Sequence, residues 1–137
     1  MNKIRDLHSA ITVENGRTTA AITSNTTSNG AIIDLQGCGG VEFIMTVSAR
    51  TDGTYTPSIQ VGNDSGLSDA ASADSSTVRG SLTAVTANGV TSYGLAATTF
   101  RYCRIVITST SVSSGATVGV TAVKHDLDQD LDQAGTA

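Results

Sequence analysis

The segment VEFIMTVSA (residues 41–49) decides the fold class, because apolar and polar side chains alternate along it. Every odd-numbered position is apolar, and the even-numbered positions are polar except for Ile44. Successive side chains of a β-strand point to opposite faces of a sheet, so a period of two is typical of a strand with one buried face. The segment therefore predicts a β-strand that packs against a hydrophobic core.

Three further segments carry the same pattern: YTPSIQV (55–61), FRYCRIVIT (100–108) and ATVGVTAVK (116–124). The segment 100–108 is apolar on both faces near its middle, which favours a central position in a sheet. Weaker strand patterns lie at 10–13, 18–24, 31–35, 78–86 and 90–96. We expect about eight short strands in all.

Dipeptides that allow a positive φ angle separate these strands. Asn15-Gly16 predicts a hairpin between 10–13 and 18–24, and Asp52-Gly53 predicts one that pairs 55–61 with the strand before it. Residues 25–30 and 62–77 are predicted to be polar loops, the second with a short helical turn near 69–73. Short strands between such turns predict an all-β fold, an antiparallel β-sandwich of the jelly-roll or immunoglobulin-like kind.

The composition limits the class of protein. The 137 residues suffice for one domain with its own core, and only 15% of them are charged. The isoelectric point is near 4.8 and no basic run is present, so nucleic acid is not an expected partner. No stretch is apolar for long enough to be a secretory signal or a membrane helix, so no membrane partner is expected. We expect an N-terminal arm at 1–9, a sandwich domain at 10–124 and an acidic C-terminal tail at 125–137.

The sequence contains no catalytic constellation, so we expect no enzyme activity, no cofactor and no metal site. Neither histidine lies near a serine motif such as Gly-x-Ser-x-Gly. Cys38 and Cys103 lack metal-ligand spacing and are expected to stay reduced, with Cys103 in the core. The aspartates of the loop at 62–77 are expected to form turns.

The arm and the tail are the candidates for contact with a partner. The tail holds four alternating aspartates and no Lys or Arg, so its charge equals the net charge of −4 of the whole chain. The spacing resembles part of a calcium loop, but Leu131 and Ala137 stand where such a loop needs Gly and Glu. Leu127 and Leu131 would share one face of a helical turn. The predicted partner-binding residues are Ile4, Leu7, Asp126, Leu127, Asp128, Asp130, Leu131 and Asp132.

Several framework motifs resemble those of a group of small structural proteins of tailed bacteriophages. AIIDLQGCGGVEF (31–43) is similar to the group's Ile-Asp-Thr-x-Gly entry, with Leu35 in place of Thr. An Asp-Gly-Thr turn follows at 52–54, an Arg-Tyr-x-Arg strand at 101–104 and a closing strand GATVGVTAV at 115–123. The resemblance covers roughly residues 20–124, and the arm and the tail fall outside it.

This resemblance implies a β-sandwich virion protein of the capsid decoration or cement type. Such a protein would be assembled in the host cytoplasm, bind the major capsid protein on the outer surface of the virion and stabilise the shell, as a homo-oligomer and in particular a trimer. The alternatives are a neck, tail or fibre-base component, or a sandwich that binds carbohydrate or a receptor. The last is disfavoured because the chain has only three Tyr, two Phe and no Trp, most of them in register with core positions.

Overall fold

The computed structural model describes residues 6–96 and 99–125, which form a short helix and ten β-strands. The elements are α1 (Leu7–Ala10), β1 (Ile11–Ile22), β2 (Thr26–Asn29), β3 (Ile33–Asp34), β4 (Gly40–Ser48), β5 (Thr54–Gly62), β6 (Ala71–Ser72), a 3-10 helix (Ser75–Thr77), β7 (Val78–Arg79), β8 (Gly89–Ala96), β9 (Tyr102–Thr110) and β10 (Ala116–His125). Sheet A has the strand order β1-β10-β4-β8-β7. Sheet B has the order β2-β9-β5-β6, with β3 also paired to β9. The predicted all-β antiparallel sandwich is confirmed, with ten described strands where about eight were expected.

The alternation on the long strands builds the core between the sheets. β4 buries every second side chain from Val41 to Val47, and β9 buries Cys103, Ile105 and Ile107 against it from the other sheet. Each buried aliphatic side chain contributes about 1.5–3 kcal/mol relative to an exposed one, so these strands hold the sheets together. β9 lies between β5 on one side and β2 and β3 on the other, as its predicted central position requires.

The predicted hairpin at Asn15-Gly16 is wrong. Residues 11–22 form the single strand β1, which pairs with β10 from Ile11 to Ile22. The register shifts between Asn15 and Arg17, and Gly16 does not adopt a positive φ angle. The Asn-Gly pair therefore marks a β-bulge, in which one extra residue is accommodated without ending the strand.

The turn at Asp52-Gly53 is present, but it does not form the predicted hairpin. Gly53 adopts a φ angle of +99°, which an L side chain rarely tolerates. The chain then crosses from β4 in sheet A to β5 in sheet B, and β5 pairs with β9 and β6. Backbone freedom at a turn fixes where a strand ends, but not which sheet receives the next strand.

The remaining differences concern short polar segments. The predicted loop at 25–30 contains β2, and the predicted helical turn at 69–73 contains β6. The predicted strand at 31–35 is shortened to β3. The predicted strand at 78–86 is shortened to β7, followed by a bridge between Val85 and Tyr55. In each new strand the backbone groups pair with a long neighbouring strand, as β2 does with β9. Pairing with a strand that is already in place determines the conformation of such segments, and their own sequence does not.

The cysteines behave as expected, since Cys38 and Cys103 form no disulfide. Cys103 is fully buried, and burial raises the pKa of its thiol to about 12, which makes the sulfur unreactive. Among the helices in the described ranges, none is long and apolar enough to cross a membrane.

Candidate partner-binding surface

The start of β1 and the end of β10 meet at one end of sheet A. Ile11, the first residue of β1, pairs with His125, the last residue of β10. The arm and the tail therefore join the sandwich on neighbouring strands, although they are more than 100 residues apart in sequence. We call this region the terminus end and define it by Ile11, Asp34, Arg101, Lys124 and His125.

Of the predicted partner-binding residues, Leu7 is the one that the described ranges contain. It lies in α1, and its side chain is 71% exposed. Asp6 caps this helix by accepting a hydrogen bond of 2.8 Å from the backbone N–H of Ser9. Ile4, Asp126, Leu127, Asp128, Asp130, Leu131 and Asp132 lie outside the described residues.

A bidentate ion pair joins two strand ends at the terminus end. The Nε and Nη2 atoms of Arg101 donate to the two carboxylate oxygens of Asp34 at 3.0 and 2.9 Å. The hydrogen bond from Arg101 lowers the pKa of Asp34 to about 2. The guanidinium also lies 5.1 Å from the ring centre of Tyr102, and both members of the ion pair remain nearly half exposed. The pair fixes a charged but overall neutral surface beside the chain ends.

A second ion pair lies directly beside the junction with the tail. The Nζ atom of Lys124 lies 2.6 Å from a carboxylate oxygen of Glu14 on β1 and donates to the backbone oxygen of Asp34 at 3.3 Å. Burial alone would lower the pKa of Lys124, but the hydrogen bond and the charge of Glu14 outweigh it, and the pKa is raised. Lys124 thus connects β10 to β1 and to β3, so the strands that lead to the arm and the tail are fixed to each other.

The aspartates of the loop at 62–77 form turns, as predicted. Asp64 accepts hydrogen bonds from the backbone N–H groups of Gly66 and Ser68, and Asp69 accepts from those of Asn63 and Asp64. These backbone hydrogen bonds lower the pKa of both carboxylates. Within residues 6–96 and 99–125, no three His, Cys, Asp or Glu side chains come together as metal ligands would.

The outer face of sheet A carries an apolar feature that sequence reasoning missed. Val13 pairs with Val123, Ile44 lies diagonally beyond Val123 through its pair with Thr121, and Val90 lies diagonally beyond Ile44. We call these four residues (Val13, Val123, Ile44 and Val90) the outer stripe. Val13 and Val90 are 58% and 65% exposed. The break in the alternation at Ile44 was the one signal in the sequence.

Two open grooves lie outside the terminus end. One, of about 550 Å³, is bounded by Asn15 and Arg17 of β1 and by residues 28–31. The guanidinium of Arg17 donates to the backbone oxygens of Thr18 and Val118, and burial lowers its pKa. The other, of about 470 Å³, lies between β8 and residues 81–88 and contains no acidic or basic side chain. Neither groove has the convergent charged groups that a catalytic or anion site requires.

Most aromatic side chains serve the core, as expected. Phe43, Tyr55 and Tyr93 are buried, and the hydroxyl of Tyr93 donates to Thr91 at 2.8 Å. Phe100, on the loop before β9, is 38% exposed. A stacking platform for a sugar ring needs exposed rings side by side, and three of the five rings are inside.

No protein-family model matches this chain, and no curated protein matches it. Among solved structures, the crystal structure of the SPBc2 prophage-derived protein YomS is similar, with 12% sequence identity and a TM-score of 0.43. The alignment covers 83% of this chain and 91% of that chain. A likeness of this size carries no inference about function.

Proposed function

We propose that this protein is a structural component of a tailed-phage virion, a decoration protein that binds the major capsid protein on the outer surface of the shell and stabilises it. The proposal starts from the framework motifs at 31–43, 52–54, 101–104 and 115–123, which resemble those of such proteins. The observation that carries it is the pairing of Ile11 with His125, which places the two strands that lead to the arm and the tail next to each other.

Two appendages that leave one end of a rigid body can bind the same neighbouring subunit. Once one of them is bound, the other is held at high effective concentration near its own site, so two weak contacts give strong attachment. This gain offsets the conformational entropy that each short segment loses on binding. The arm offers Leu7 as an apolar anchor, and the tail offers the charge of four aspartates to a basic surface.

The sandwich body is suited to act as the spacer between these contacts. Two ion pairs, of Asp34 with Arg101 and of Glu14 with Lys124, tie its strands together. The aspartates at 64 and 69 shape a loop. Such a body keeps its shape while the appendages make the specific contacts.

The test is the addition of the full-length protein to expanded capsids that lack it. We expect saturable, stoichiometric binding and a higher temperature of capsid disruption. Leu7→Asp and deletion of 126–137 should each weaken binding about tenfold or more, because each removes one of two linked contacts. Val90→Asp is the matched control, since Val90 is as exposed as Leu7 but lies on β8, away from the junction of β1 with β10.

The outcomes separate this proposal from its alternative. Circular dichroism should show that the protein without 126–137 stays folded, because β10 ends at His125. Binding to portal or tail assemblies alone would contradict the decoration role and favour a neck, tail or fibre-base component. Unchanged capsid binding by both the Leu7→Asp and the deletion variants would contradict attachment through the appendages.

A further inference from the structure

The first half of β1 is an open sheet edge. β1 ends the strand order of sheet A, and in the described ranges no strand lies on its outer side. The second half is interrupted, because the register shifts on both sides of Arg17 and the carbonyl of Gly16 accepts a hydrogen bond of 2.8 Å from the N–H of Ala31. Residues 11–15 pair with β10 without a shift, so their outer backbone groups form a regular edge.

Apart from the charge of Glu14, this segment lacks the features that usually keep an edge from pairing with another chain. Protected edges carry lysines, prolines or bulges, whereas residues 11–15 read ITVEN. The charge of Glu14 is balanced by Lys124, whose Nζ atom lies 2.6 Å away. The outer stripe also reaches the edge here, through the exposed side chain of Val13.

We infer that residues 11–15 pair antiparallel with the same residues of a second copy, about a two-fold axis through Val13. Helix α1 ends just before this segment and the first register shift follows it, so Val13 is the midpoint of the regular stretch. The pairing places Ile11 opposite Asn15, Thr12 opposite Glu14 and Val13 opposite Val13. No two like charges lie opposite each other in this pairing. The pairing joins the two copies of sheet A into one continuous sheet, and their outer stripes lie on the same face of it.

The size of this contact sets its strength. A pair of five-residue strands buries less than the roughly 1,200 Å² of a stable interface, so the dimer is weak and depends on concentration. The pairing does not rest on capsid binding, and it uses the edge of β1 rather than the arm or the tail. A protein that stays monomeric at every concentration and still binds capsids would contradict the dimer and leave the proposed function standing.

Sedimentation velocity of the full-length protein over a range of concentrations tests the dimer. Wild type should shift from monomer to dimer. Val13→Lys should raise the dimer dissociation constant about tenfold or more, because it places two like charges directly opposite each other. Val90→Lys, at an equally exposed valine of the outer stripe on β8, should leave the dimer unchanged. A wild-type monomer at every concentration, a trimer, or loss of the dimer in Val90→Lys would overturn the inference.

Cross-linking tests the register independently of any effect on affinity. Directly opposite residues of an antiparallel pair have Cα atoms about 4.5–5.5 Å apart, within the range of a disulfide. In a Cys38→Ser background, Val13→Cys should therefore form a covalent dimer under mild oxidation, and Val90→Cys should not. Equal cross-linking of the two variants would contradict the pairing at Val13.

Discussion

The two ends of the sandwich are closed by a different balance of backbone hydrogen bonds and ion pairs. At the end opposite the terminus end, side-chain oxygens of Asn25, Asp52 and Asn88 accept from backbone N–H groups of neighbouring loops. We call this the loop end and define it by these three residues and by residues 111–115. At the terminus end, Asn63 accepts one such bond from the N–H of Arg101, and two ion pairs join the strands. The pair of Asp34 with Arg101 is nearly half exposed, and the pair of Glu14 with Lys124 is less exposed. Backbone groups must be satisfied for the fold to form, whereas exposed ion pairs contribute little to stability.

The centre of the loop end is the carboxylate of Asp52. It accepts hydrogen bonds from the N–H groups of Ser113, Ser114 and Gly115, at 2.9–3.1 Å. The hydroxyl of Tyr55 donates to the backbone oxygen of Asp52, and the N–H of Thr51 donates to the oxygen of Gly115. These bonds fasten the crossing between β4 and β5 to the turn between β9 and β10. The comparison indicates that the loop end contributes more to holding separate loops of the fold together than the terminus end does.

The largest expected effect comes from a glycine at the loop end. Gly115 has a φ angle of +93°, and a Cβ there would overlap the backbone oxygen of Ile22. Gly115→Ala should lower the free energy of unfolding by more than about 2 kcal/mol, because the alanine would be strained at this φ angle and its Cβ would also clash with the backbone of Ile22. Gly66→Ala near the terminus end is the control, because the nearest atom to its Cβ would be a movable carboxylate oxygen of Asp64 at 3.3 Å. Urea unfolding measures both, and equal losses would refute the contrast between the ends.

The second effect compares one aspartate from each end. Asp52→Ala leaves three loop N–H groups without their acceptor, whereas Asp34→Ala frees Arg101 to be solvated and leaves the N–H of Gln36 without its bond. Asp52→Ala should lower the melting temperature clearly more than Asp34→Ala does. Thermal unfolding followed by circular dichroism gives the order. A larger drop for Asp34→Ala would mean that the terminus end carries the stability.

The sequence predicted the parts of this fold that depend on local pattern. The alternation at 41–49, 55–61, 100–108 and 116–124 identified the four long core strands, because burial on one face acts on each strand independently. The pairing of strands was not predictable in this way. Asp52-Gly53 indicated a turn correctly, but the choice between pairing within sheet A and crossing to sheet B depends on contacts with β9, about 50 residues away in sequence.

The same distinction between local pattern and strand pairing applies to the candidate sites. The arm and the tail stood out by composition, but the pairing of Ile11 with His125 is a property of strand order, which no residue pattern encodes. The Asn15-Gly16 dipeptide was misleading because Gly16 serves a close approach to β10 and not a turn with a positive φ angle. A Cβ at this position would lie 2.9 Å from a side-chain carbon of Val120. The outer stripe could be seen only at Ile44, because its other members lie on three different strands.

The smallest expected effect is a dependence on pH at the terminus end. The pKa of Asp34 is lowered to about 2 in the folded protein, below the value of about 3.9 in an unfolded chain. A carboxylate with a lowered pKa stabilises the fold above the unfolded value, and this contribution is lost as the pH falls from about 4 towards 2. Because the pair of Asp34 with Arg101 is nearly half exposed, solvent screening keeps the effect small.

Asp34→Asn isolates this contribution. The difference in urea midpoint between wild type and Asp34→Asn should be present at about pH 6 and shrink below about pH 4, where wild type loses the charge that the variant never had. Asp52→Asn serves as the comparison from the loop end, because hydrogen bonds from Ser114, Ser113 and Gly115 also lower the pKa of Asp52. The difference between wild type and Asp52→Asn should also shrink as the pH falls below the unfolded pKa, but it should start larger, since the oxygens of Asp52 hold backbone groups. A difference for Asp34→Asn that stays constant down to about pH 2 would show that the Asp34–Arg101 pair does not stabilise the fold through its charge.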